Sequence, residues 1–89
     1  MKTHASHIHV LKRLKRAKGH LEKVIAMIEA EKPCLDAAQQ LHAVECAIKN
    51  AKQIYIRDHI DHCLDDTIIH NSKNKKKHFS EFKEITKYL

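Results

Sequence analysis

Glycine and proline are almost missing from this chain, which has one of each in 89 residues, no tryptophan, two tyrosines and two phenylalanines. With so few turn residues, and with long runs of Ala, Leu, Ile, Lys and Glu, the chain reads as all-α. No glycine-rich loop is present to cradle a phosphate. No Ser-His-Asp set or paired-carboxylate pocket is visible either, so the chain is read as neither an enzyme nor a binder of a small-molecule substrate. Aromatics for stacking on bases are scarce, and neither helix-turn-helix nor zinc-finger spacing occurs. No stretch approaches 18 apolar residues, so no membrane span is expected. The start, MKTHASHIHVLKRLKR, has no apolar signal segment, and three cysteines cannot all pair within one chain. A reducing cytoplasm is the expected location.

What remains is basic and periodic. The net charge is +6 with a pI near 9.4, a balance that suits an acidic partner such as nucleic acid. Residues 1–89 read as a single domain, short enough that a metal or oligomerisation is expected to support its core. Over 6–30, Leu11, Leu14, Ala17, Leu21, Val24, Ile25 and Ile28 follow helical spacing, with Ser6 as N-cap. Gly19 interrupts this helix, and close approach of a neighbouring helix is the expected reason. Pro33 breaks the pattern and suits the start of a second helix. That helix is expected over 35–69, with Leu41, Val44, Ile48, Ala51 and Tyr55 as its stripe. A loop over 71–74 and a third helix over 77–88 follow, the latter with Phe79, Phe82 and Ile85 on its apolar side. The central helix would be on the order of 50 Å long. Two shorter helices cannot cover that length, so its stripe is expected to be buried against other copies in an antiparallel bundle.

The chemistry centres on Cys34, His59 and Cys63. His59 and Cys63 are four residues apart, which places them on one helix face within reach of one ion. Two thiolates and an imidazole suit Cu(I) or Zn(II) and are poor ligands for Mg(II) or Ca(II). Cys34 and His59 lie roughly 35 Å apart along one helix, so they cannot meet within a chain. In an antiparallel pair, Cys34 of one copy lies beside the distal part of the other helix. The predicted site therefore bridges subunits.

The segments RLKRAKGHLEKVIAMIE (13–29), QQLHAVECAI (39–48) and DHIDHC (58–63), together with Cys34, resemble the CsoR/RcnR family of bacterial metal-sensing repressors. The match runs without gaps from about residue 10 to 64 and more loosely beyond. This resemblance implies a three-helix protomer with one long central helix, forming antiparallel dimers and then a flat homotetramer. It implies a repressor released from operator DNA when an inducer binds at the dimer interface, so that metal efflux or resistance genes are expressed. The Cys-His-Cys set resembles the Cu(I)-sensing branch, with Cys34, His59 and Cys63 as ligands. Nickel-sensing relatives use the same three positions and an N-terminal His, for which His4, His7 and His9 are the nearby residues. The alternative that this resemblance implies is a Ni(II)- or Co(II)-responsive repressor of the same family, with an N-terminal His as additional ligand. Some copper sensors have a Tyr before the first Cys, where this chain has Pro33. They also have a third-helix Glu beside the metal ligands, whose counterpart here is Glu81 or Glu84.

The resemblance places Arg13 at a DNA-contact position, with Lys12 and Arg16 flanking it in the basic run 12–18. Recognition would rest on phosphate contacts and DNA shape. His20 reads as a packing or interhelical hydrogen-bonding residue rather than a ligand. His62 points roughly 100° away from Cys63 around the helix and is left out of the ligand set. Cys46 is read as a small packed hydrophobe. The competing class is a cytoplasmic metal buffer that binds no DNA.

Overall fold

The computed structural model describes residues 5–69 and 75–89, with side chains described for 7–62, 77 and 79–89. Three helices follow one another: α1 (Ala5–Glu29), α2 (Cys34–Ile69) and α3 (Lys75–Thr86). Their bounds fall within two residues of the expected ones. The expected loop at 71–74 lies outside the described residues, apart from the boundary that α3 sets at Lys75. α1 begins at Ala5 and takes in Ser6, so Ser6 is an internal residue rather than the N-cap. The helices fall into two compact units, Met1–Ala51 and Lys52–Leu89.

In the first unit, α1 and the start of α2 form an αα-hairpin. α1 ends in a Schellman motif: Lys32 N–H donates to the Met27 carbonyl (3.0 Å) and Glu31 N–H to that of Ile28 (3.1 Å). Glu31 holds the left-handed corner position with φ of 55°, where glycine is usual and an L-residue costs about 1–2 kcal/mol. The Pro33 carbonyl accepts the first bond of α2, from Ala37 N–H, so Pro33 caps the new helix and Cys34 is its first residue. Asp36 sits in that first turn, where the positive end of the helix dipole favours a carboxylate.

The seam between these helices consists of small residues at heptad spacing. Val10, Ala17 and Val24 are buried on α1, and Ala37, Val44 and Ala51 on α2. In an antiparallel register these stack as three layers, Val10 with Ala51, Ala17 with Val44, and Val24 with Ala37. Ala and Val side chains let two helices approach closely. The larger residues of the two predicted stripes lie to one side of this seam. At 100° per residue, Leu11, Leu14, Leu21 and Ile25 rotate away from the α1 seam in one direction, and Leu41 and Ile48 do the same on α2. All six are exposed, as is Ile28 near the turn. The opposite side of the hairpin carries Arg13, Arg16 and His20 from α1, and Gln40, Ala47 and Asn50 from α2. The hairpin thus has an apolar face and a basic face, divided by a thin seam.

Gly19 is not explained by close packing. A Cβ built there meets nothing within 4 Å, and the residue has no positive φ. Gly19→Ala should therefore stabilise the chain by about 0.4–1 kcal/mol through lost unfolded-state entropy. Urea titration of both proteins checks this, and a lower midpoint for Gly19→Ala would refute it.

In the second unit, Ile56 is the buried apolar residue among the described residues of α2, while Tyr55, placed in the predicted stripe, is exposed. On α3, Phe82 and Ile85 are half-buried. Phe79 is exposed, with Lys83 Nζ lying 4.8 Å from its ring centroid. α3 ends in a tighter turn, in which Lys87 and Tyr88 N–H donate to the carbonyls of Glu84 and Ile85. Among the described residues, no helix is long and apolar enough to cross a membrane.

Candidate metal centre and basic face

Cys34 is an exposed free thiol at the first position of α2. By helical spacing it sits on the same side of the hairpin as Leu41 and Ile48, so the thiol belongs to the apolar face. His59 is half-buried in the second unit. It lines a cavity of 360 Å³ with Ser80, Glu81, Glu84, Ile85 and Tyr88. The structure thus brings His59, Glu81 and Glu84 around one space. The Glu84 carboxylate accepts a hydrogen bond from Lys87 Nζ at 3.0 Å, with both side chains well exposed, a pair that adds little to stability. Cys63 follows His59 by four residues on α2; its side chain is not among those described. His4 lies outside the described residues. His7 is half-buried and His9 exposed on the first turns of α1.

Among the described residues of one chain, no three or more His, Cys, Asp or Glu gather closely enough to hold an ion. The donor chemistry of Cys34, His59 and Cys63 fits a soft cation. Cys34 belongs to the first unit and His59 to the second, and both lie on α2.

Lys12, Arg13 and Arg16 are all exposed on α1. Arg13 and Arg16 line a 200 Å³ cavity with Ala17, His20, Ala47 and Asn50. Beside it is a larger groove of 510 Å³, lined by Lys15, Arg16, Gly19, His20, Lys23, Met27 and Gln40. Its charged residues are all basic, and Lys23 extends the basic face beyond the run picked out by sequence. Helical spacing carries that signal, since Arg16 and Lys23 lie seven residues apart on one stripe. His20 does not face a metal site. Its Nε2 bonds Oε1 of Gln40 at 2.6 Å; an amide oxygen only accepts, so Nε2 is the donor. This bond ties α1 to α2, the interhelical role expected of His20.

Cys46 departs from its expected role. It is exposed, not packed, with Sγ 3.6 Å from Nε2 of His42. Two residues beyond Val44, it leaves α2 roughly 160° from the seam, which accounts for its exposure. Sequence reasoning passed over this pair, although its H-x-x-x-C spacing repeats that of His59 and Cys63.

Comparison with known proteins bears on the family and the fold. The family model of the metal-sensitive transcriptional repressors matches residues 6–89. The chain is 34% identical over 82 residues to the copper-sensing transcriptional repressor CsoR of Bacillus subtilis, covering 88% of this chain and 79% of that protein. It is 34% identical over 59 residues to CsoR of Mycobacterium ulcerans, where the match covers 66% of this chain and 50% of the relative's length. Against that relative, the chain spans about half the length of the protein it matches. In fold it is similar to the nickel-responsive transcriptional regulator InrS, with a TM-score of 0.79, 24% identity and coverage of 100% of this chain and 99% of that one. These relatives are transcriptional repressors and regulators rather than enzymes. The hairpin with its two faces, the soft donors on α2 and a family match that takes in all three helices lead to one statement: this chain belongs to the family of metal-sensitive transcriptional repressors.

Proposed function

We propose that this protein is a cytoplasmic repressor that holds operator DNA through the basic face of α1 and releases it when Cu(I) binds between two copies of the chain. Cys34 of one copy and His59 and Cys63 of the other would hold the ion, which supplies a strong soft-ligand bond joining the two chains. The observation that carries this reading is the unbroken α2, with a thiol at its first residue and His59 twenty-five residues on. Twenty-five residues is close to seven turns of an ideal helix, roughly 35 Å. In an antiparallel pair, each thiol then comes level with the partner's imidazole. The exposed apolar face of the hairpin, on which Cys34 sits, supplies a surface for the second copy. Such dimers would pair further into the flat homotetramer.

Within this assembly, Glu81 and Glu84, which line the cavity that His59 lines, would orient its ring. Arg13, Arg16 and Lys12 contact phosphates, with Lys15 and Lys23 extending the positive stripe. Metal and DNA are linked reciprocally: the factor by which one weakens the other is the same in both directions, usually 5–150-fold.

Binding to a duplex from upstream of the protein's own gene, measured across a salt series with and without Cu(I), tests the reading. Arg13→Ala should weaken binding of the metal-free protein and reduce the salt slope by about one, with Cu(I) affinity unchanged. His59→Ala should bind DNA normally and ignore Cu(I). Tighter binding of the metal-loaded protein would refute release as the mechanism, and no salt-dependent binding at all would leave a metal buffer. Tight Ni(II) binding that vanishes when His4, His7 and His9 are replaced would reassign the effector to nickel.

A further inference from the structure

His42 and Cys46 form a second set of soft donors, and we propose that they are a metal-binding site in their own right, complete within one chain. The ion class is a borderline or soft divalent cation of the Zn(II) type. Three observations converge. The first is spacing: H-x-x-x-C occurs at 42–46 as it does at 59–63, and one helical turn brings both side chains to one face. The second is geometry. The Sγ–Nε2 separation is 3.6 Å. A tetrahedral ion with bonds of about 2.3 Å to sulfur and 2.0–2.1 Å to nitrogen needs its two ligands about 3.5 Å apart, whereas a linear ion would need more than about 4 Å. The pair therefore stands at the ligand separation of a three- or four-coordinate ion. The third is access, because both residues are exposed on the back of α2, where water can complete the coordination shell.

The neighbouring groups shape what this site accepts. Glu45, one residue before Cys46, leaves the helix about 100° from it and is not a third ligand, since no three such donors gather closely enough among the described residues; water completes the shell. Lys49 follows Cys46 by three residues and opposes any cation. Ions without a strong bond to sulfur are therefore excluded, which removes Mg(II) and Ca(II). The pair is separate from Cys34, His59 and Cys63 and needs no second copy, so it would bind whether or not the bridging site forms.

Co(II) is the probe, because a thiolate ligand gives it an intense charge-transfer absorption. The test protein is the full chain carrying Cys34→Ser and Cys63→Ser, reduced and anaerobic, with helicity checked by circular dichroism. Cys46 is then its one thiol. One equivalent of Co(II) should give the thiolate band and Zn(II) should displace it. Adding Cys46→Ser should abolish the band, and adding His42→Ala should weaken Co(II) binding at least about tenfold, as expected when one of two protein ligands is lost. No band, or a band indifferent to His42→Ala, would overturn the proposal and leave a simple thiol–imidazole hydrogen bond. The unsubstituted chain gives an independent reading. Zn(II) should protect Cys46 from alkylation, scored on its own peptide, and the protection should disappear in His42→Ala. Equal alkylation with and without Zn(II) would also overturn the site, whatever happens at Cys34 and Cys63.

Discussion

Mixing a Cys34→Ala chain with a His59→Ala, Cys63→Ala chain should restore Cu(I) sites that neither chain forms alone. Each single population lacks a ligand in every site, and losing one of the two thiolates removes tight binding of a soft ion. In a mixed dimer of two-fold symmetry, one of the two sites receives the intact Cys34 from one chain and the intact His59 and Cys63 from the other. The second site receives none of the three. With random pairing, half the dimers are mixed, so about a quarter of all sites should recover. Anaerobic titration against a coloured Cu(I) chelator reads this fraction directly. A mixture that binds no more than its components would rule out ligands shared between chains.

Ala51→Leu should destabilise the hairpin by about 1–3 kcal/mol, the usual cost of overfilling a packed seam. Ala51 has no exposed surface, and its layer partner Val10 is buried as well. Three added carbons can be accommodated only by forcing α1 and α2 apart, and the loss is internal to one chain. Its size should therefore not depend on protein concentration. Ile25→Ala provides the contrast. Ile25 is 48% exposed in the single chain, so truncation there costs little unless a second copy covers it; covered, it should cost about 2–5 kcal/mol. Urea unfolding at two protein concentrations separates the cases. If Ile25→Ala is as mild as an ordinary surface change at every concentration, the apolar face is not an interface.

The contrast between Ala51 and Ile25 also marks where the sequence stopped being readable. Helix positions were legible, because Pro33 and the scarcity of other breakers leave few places for an end. Burial was legible in part. Ala17, Val24, Val44 and Ala51 fall in the predicted stripes and are buried, while Leu14, Leu21 and Leu41 in the same stripes are exposed, because a period of 3.6 marks a broad apolar side and not the narrow seam within it. The heptad spacing of Val10, Ala17 and Val24 was present, but small residues carry little weight in a hydrophobicity pattern. Gly19 was misjudged for a related reason: a helical glycine suggests a close neighbour, and this one borders an open groove. The donors Cys34, His59 and Cys63 were legible as chemistry, since their spacing and softness are properties of sequence. Their meeting place was not, because it depends on a partner. Cys46 was passed over because a cysteine without an assigned role is most often a small hydrophobe.

The thinness of the hairpin seam has a further consequence. A layer of Ala and Val removes little apolar area from water, and far more lies exposed on the leucine face. If that face is closed by association, folding and assembly become one equilibrium governed by mass action, and stability rises with the amount of protein present. Scarce chains would then be the least protected from proteases and the first to be cleared. Such a regulator would persist only above a threshold abundance set by its own association, and would be lost below it without a dedicated degradation signal.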